Sequence, residues 1–234
     1  MKSADLFSMK GKVALVARRA DRLEAFKAEL EKGGAKAVAI AADVTRREDM
    51  IRAFDAAERA LGPLTTLVNN AGVAQASIRA TSVSEDEWRR VLSVDLDAVF
   101  YWAQEAARRM IAAGTKGSIV NIASVLGFGA QKGVASYATA KAGVVQITRV
   151  LGLELAFKGV RVNAIAPGWF VTEINDKFLA SEAGGVIRRS IPMGRFGNEG
   201  DLSGALLLLA SDAGAYMTGT TIVVDGGQLS AIHG

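Results

Sequence analysis

The chain has no cysteine, one histidine and three prolines in 234 residues. Without cysteine there is no disulfide framework, no thiolate metal site and no thiol nucleophile. The lone His233 stands next to the last residue, where chains fray, so neither a histidine-based triad nor a histidine-ligated metal is expected. Acid–base chemistry near neutral pH then falls to Tyr, Lys, Asp or Glu side chains with shifted pKa values. Long runs of like charge are also missing. The net charge of +4 comes from scattered pairs (Arg18–Arg19, Arg46–Arg47, Arg89–Arg90, Arg108–Arg109, Arg188–Arg189) with acids near most of them. A nucleic-acid tail or stripe is therefore not expected. The opening MKSADLFSMKGK carries Asp5 and no apolar run of secretory length. The longest apolar stretches, 13–17 and 205–210, fall far short of the ~20 residues that span a bilayer. The expectation is a soluble, cytoplasmic protein with neither a nucleic-acid nor a membrane partner.

Short apolar runs of strand length do recur, at 13–17, 37–41, 65–69, 118–123, 160–166 and 221–225. Their near-continuous hydrophobicity suits parallel strands covered on both faces. Helical patterns fall between them, near 21–32, 46–60, 84–112, 136–157 and 199–211. Strand and helix in alternation predict right-handed crossovers and an α/β fold with a doubly wound parallel sheet. No linker, repeat or break in composition divides the chain, so 1–234 reads as one domain. The longest stretch without a strand pattern, 168–198, contains Trp169, Phe170, Ile174 and Phe178. Excursions at the C-terminal edge of a parallel sheet serve as lids or binding loops, or simply as surface loops.

The most informative cluster is Tyr137-x-x-x-Lys141 with Ser124 upstream. At i and i+4 on one helix, Tyr137 and Lys141 share a face. An ammonium beside a phenol favours the phenolate, so the expected effect is a lowered Tyr137 pKa. Ser124 ends an apolar strand, where ligands meet an open parallel sheet, and its hydroxyl can donate to a carbonyl oxygen as charge develops there. Taken alone, these three also describe an exposed tyrosine, a surface lysine and a strand-end serine. Asn69-Asn70-Ala71-Gly72 follows one strand and permits close backbone approach to a ligand. Ala42-Asp43-Val44 follows another, with Asp43 placed either to hydrogen-bond a base or to cap the next helix. Ala166-Pro167-Gly168 and Asp225-Gly226-Gly227 end two more.

In this order and spacing the motifs resemble those of the short-chain dehydrogenase/reductase family, over essentially the whole chain from Gly11 to Gly227. The resemblance implies a Rossmann-like subunit that moves hydride between a nicotinamide cofactor and a small-molecule carbonyl or secondary alcohol. It makes Tyr137 the general acid/base, Lys141 the residue that lowers its pKa and binds the nicotinamide ribose, and Ser124 the group polarising the substrate oxygen. Asn70, Ala71 and Gly72 would line the cofactor channel, Asp43 and Val44 would meet the adenine, and Pro167, Gly168 and Thr172 would meet the nicotinamide end.

Two departures accompany the resemblance. The family places T-G-x-x-x-G-x-G after its first strand, where the amides of a helix N-terminus hold the pyrophosphate. Here Val13-Ala14-Leu15-Val16 runs straight into Ala17-Arg18-Arg19, and no glycine occurs from 12 to 32. A glycine loop, one helix and most of a strand, roughly 25 residues, are missing near 16–17, either truly deleted from the protein or lost internally from the sequence. An intact mass near 24.5 kDa indicates true deletion. In the second departure, Val94-Asp95-Leu96 stands where the family often has Asn, a residue that helps hold a water in the proton relay. A carboxylate accepts from the same water but alters the titration of nearby Lys141.

Cofactor choice is read at Arg18 and Arg19. NAD-preferring enzymes place a carboxylate at this strand end, none occurs at 14–20, and two guanidiniums suit a 2′-phosphate. NADP(H) is therefore favoured, with NAD(H) possible and the pair simply solvating a turn as the other reading. A homotetramer is expected, since the helices near 84–112 and 136–157 carry small or apolar residues beyond one stripe, including Ala142, Val145 and Leu153. The rival to an enzyme is a non-catalytic subunit of this fold, kept for assembly after loss of the phosphate loop.

Overall fold

The computed structural model describes residues 12–172 and 175–231; Ile174 and His233 lie outside them. Six strands and eight α-helices alternate among the described residues. In chain order they are β1 (Lys12–Ala17), α1 (Ala20–Lys32), β2 (Lys36–Ala41), α2 (Arg47–Leu61), β3 (Thr66–Asn69), α3 (Glu85–Leu92) and α4 (Ala98–Ala112). They continue with β4 (Gly117–Ile122), α5 (Ala135–Leu155), β5 (Val160–Pro167), α6 (Asp176–Leu179), α7 (Glu182–Ser190), α8 (Glu199–Ala210) and β6 (Thr221–Val224). Every expected strand and helix is present to within two residues at its ends, save the helix expected near 84–112. There a π turn at Ser93–Asp97 separates α3 from α4.

All strand pairing is parallel, but the sheet is not continuous. β1 pairs only with β2, and β3–β4–β5–β6 form a separate four-stranded sheet. The expected α/β, Rossmann-like arrangement of parallel strands is present, and what differs is that the sheet is divided in two and its outer strands are not covered on both faces. β4 and β5 are almost wholly buried, whereas no residue of β1 or β3 is, and Val68 in the middle of β3 is 40% exposed. A slot lies between β1 and β3, and each strand presents it with an edge of unpaired backbone groups.

One helical layer bridges the two sheets. Phe54 of α2 packs at a tilt, 5.1 Å between ring centres, against Trp102 of α4, whose indole N–H donates to the Val44 carbonyl beyond β2. Arg109 of α4 lies 2.7 Å from both Asp55 and Glu58 of α2, and its guanidinium sits over the Phe54 ring. Around these contacts Ile40, Ala53, Ala103, Ala106, Ile119 and Val162 form a common core. On the opposite face Phe26 of α1 and Leu206 of α8 line the slot, and Phe26 is half-exposed.

Candidate active site

Parallel strands place their C-terminal ends along one edge, which is why residues far apart in sequence meet there. A continuous cleft of about 3160 Å³ runs along that edge and through the slot. Arg18, Arg19, Asp43, Val44, Asn70, Ala71, Gly72, Asp95, Ser124, Tyr137, Lys141, Pro167, Gly168 and Thr172 all line it. Arg18, Arg19, Asp43 and Val44 belong to the ends of β1 and β2, where Ala17 is paired with Ala41. The remainder gather around the ends of β3, β4 and β5.

At the first group, Arg18 and Arg19 are exposed. Arg19 is the N-cap of α1, and its side chain makes no capping bond there. Asp43 does not cap the next helix; that position is Arg46. Its carboxylate instead accepts from the Thr45 N–H at 2.9 Å and the Thr45 hydroxyl at 2.7 Å, and its own N–H donates to Asp49. These bonds, with the nearby Arg18 charge, hold the Asp43 carboxyl below its ordinary value.

At the second group, α5 starts at the edge of the cleft, and its second turn carries Lys141 back beneath Tyr137. The lysine Nζ lies 5.5 Å from the centre of the Tyr137 ring and donates to the Ile122 carbonyl at 3.1 Å. Ser124 is buried directly after β4, where its Oγ accepts from the Leu126 N–H at 3.2 Å. The Tyr137 pKa is not lowered as expected. Burial pushes the phenol up and Asp95 adds to the rise, against a hydrogen bond with the Ser124 hydroxyl. Lys141 is itself buried, and desolvation pulls its ammonium down while Asp95 supports it.

The backbone comes close at two places. A Cβ on Gly168 would lie 2.7 Å from the Asp225 Cβ, so only glycine fits between β5 and β6. Asp225 fixes its own turn by accepting from the Gly227 and Leu229 N–H groups, with Gly226 and Gly227 at positive φ. Thr172 is exposed and its hydroxyl donates to the Asn175 side chain. The 168–198 segment returns to its own start, where Phe170 bridges Gly197 and Trp169 lies 6.1 Å from Phe178.

Gln75 was not singled out in the sequence. Its Oε1 accepts from the Tyr137 N–H at 3.0 Å, while its buried Nε2 has no partner. Sequence carries no signal for it, because the contact joins a loop to the first turn of a helix far along the chain. Asn121 is also buried, accepting from Asn69 and donating to Thr148, and so ties β3, β4 and α5 together behind the site.

A family profile described as enoyl-(acyl carrier protein) reductase matches residues 2–228. The chain is 42% identical over 200 residues to 3beta-hydroxysteroid dehydrogenase 1 of Eggerthella lenta, covering 85% of this chain and 76% of that one. It is 35% identical over 217 residues to gluconate 5-dehydrogenase of Gluconobacter oxydans, with 92% and 84% covered. A solved gluconate 5-dehydrogenase from Burkholderia cenocepacia, in complex with NADP and tartrate, superimposes with a TM-score of 0.91 at 30% identity. That match covers 99% of this chain and 100% of that one. The chain belongs to the short-chain dehydrogenase/reductase family of oxidoreductases.

Proposed function

We propose that the protein is an NADP(H)-preferring oxidoreductase that interconverts a carbonyl and a secondary alcohol on a small molecule, with Tyr137 as general acid/base. The observation that carries this reading is the convergence of Ser124, Tyr137 and Lys141 in one cleft at the C-terminal ends of β4 and β5. Ser124 donates to the substrate oxygen, Tyr137 gives or takes its proton, and Lys141 supplies positive charge beneath the phenol. A bound nicotinamide supplies or accepts the hydride. The catalytic end fits such a cofactor, because the Gln75 Nε2 and Gln228 Oε1 atoms in the wall of the cleft are buried without partners. There Asn70, Ala71, Gly72, Pro167, Gly168 and Thr172 would hold the nicotinamide half, with Lys141 on its ribose. Asp43 and Val44 would meet the adenine. Residues 168–198 form the lid, with Trp169, Phe170 and Phe178 as an apolar wall against the substrate.

The diphosphate end differs. β1 passes to α1 through Arg18 and Arg19, with no glycine amides to cradle phosphate. Two guanidiniums at this turn favour a cofactor with a 2′-phosphate, and an Arg–phosphate pair partly buried on binding would be worth about 1.5–3 kcal/mol, or roughly 10- to 150-fold. Fluorescence titration with NADPH and NADH should therefore show tighter NADPH binding, and Arg18→Ala should erode the difference. Equal affinities in both proteins would refute the preference. The same lack of glycine amides favours a second reading, a non-catalytic subunit that assembles but does not bind nicotinamide. Assembly with neither cofactor bound at millimolar concentration would establish it.

We also propose that the protein assembles as a homotetramer. Leu153 near the end of α5 and Phe157 in the turn just beyond it are each 80% exposed, and Tyr101 of α4 is 49% exposed. Such apolar groups favour burial against a second copy. Ala142 is exposed as expected, but Val145 is buried in the core against Val99 and Val144 and has no part in this surface. Light scattering should give about four times the 24.5 kDa chain mass. A monomer at micromolar concentration would overturn the assignment.

A further inference from the structure

Asp95 is fully buried in the π turn between α3 and α4, a kind of irregularity frequent at functional sites. Its Oδ1 accepts from the Val73 N–H at 2.7 Å. Its Oδ2 lies 3.5 Å from the Lys141 Nζ and has no hydrogen-bond partner. A Cβ added at Gly72 would stand 3.5 Å from that same oxygen, so the turn after β3 packs directly on the carboxylate. The other charged groups around the cluster are few. Arg90 of α3 faces Asp95, but its guanidinium is held by Glu87 at 2.7 and 2.9 Å and by the Ala74 carbonyl at 2.9 Å. From β4 the phenol meets only the uncharged Ser124 hydroxyl, and from the 70–75 loop its backbone N–H meets the Gln75 amide.

We propose that Asp95 is a positioning residue of this site: its carboxylate anchors the Lys141 ammonium and the Val73 amide together, and so decides how much of the lysine charge acts on Tyr137. The proposal rests on the roles given above to Tyr137 and Lys141. Charge counting carries it. With Asp95 ionised and Lys141 protonated, the buried cluster is neutral while the phenol keeps its proton, and ionising Tyr137 leaves a net negative charge. Burial opposes that state. With an amide at position 95 the cluster begins with a net positive charge, and loss of the phenol proton leaves a neutral pair. The phenol then ionises at lower pH. Asparagine also keeps an oxygen for the Val73 N–H, so the turn retains its anchor.

The test is a pH titration of phenolate absorbance on the full chain. Subtracting the Tyr137→Phe curve removes the contribution of Tyr101 and Tyr216, the other two tyrosines. In Asp95→Asn the Tyr137 step is expected to move down by about one pH unit or more, a tenfold change in its ionisation constant. Asp95→Ser, a second neutral variant, should move it the same way, while Asp95→Glu should leave it high. A step that is unmoved or raised in the neutral variants that fold, as judged by circular dichroism, overturns the proposal. A purely structural Asp95 predicts that unmoved step. The reading of Tyr137 as the acid/base fails separately, through turnover in Tyr137→Phe, and needs no result from this titration.

Discussion

Turnover in Tyr137→Phe is expected to fall by about 10²-fold or more, with the melting temperature little changed. The substitution removes the phenol oxygen but keeps the ring, so the contact between ring and Lys141 is preserved. Nothing else in the cleft replaces the lost group. Ser124 is a far weaker acid than a phenol, Lys141 is engaged by Asp95 and the Ile122 carbonyl, and the only histidine lies outside the described residues. Steady-state oxidation of a panel of secondary alcohols with NADP, and reduction of the matching carbonyls with NADPH, provide the measurement. An unchanged kcat would mean that the proton moves through another group.

The second large effect is expected from insertion. Placing a glycine-rich turn, a helix and a strand, about 25 residues in that order, between Val16 and Ala17 should tighten NADPH binding by roughly 10- to 150-fold, the worth of one hydrogen bond to a charged group. The topology permits it. The inserted strand would take the place beside β2, and Lys12–Val16 would move into the slot beside β3, with every crossover still right-handed. The amides of β1 and β3 that now border the slot would then gain partners, and Val68 would be covered. Calorimetric titration reads the affinity, and hydrogen exchange reads the amides. If neither changes, the missing unit does not limit diphosphate binding.

Several parts of the molecule were legible in the sequence because their causes are local. Val160–Pro167 and Gly117–Ile122 are predominantly apolar and are buried strands. Tyr137 and Lys141 stand one helical turn apart, so any helix over 135–155 brings them together. Asn70, Gly72, Ser124 and Gly168 each follow a strand and Pro167 ends one, and parallel pairing alone carries them to one edge.

Nonlocal forces decided the rest. KVALVA has the composition of a covered strand, yet it is not buried, because burial depends on the strand beside it and β1 has only β2. Val145 looks as available on the helix as Ala142, but the side facing the core is set by where β4 and β5 lie. The Tyr137 phenol was expected to be acidified by Lys141 at helical spacing. Desolvation by the surrounding fold and the approach of Asp95 reverse the sign. By itself the sequence determined which residues meet in the cleft and the family they belong to. Only the tertiary structure decided that the sheet is split in two and that the Lys141 ammonium is shared with a buried carboxylate, since strand pairing and burial depend on neighbours distant along the chain.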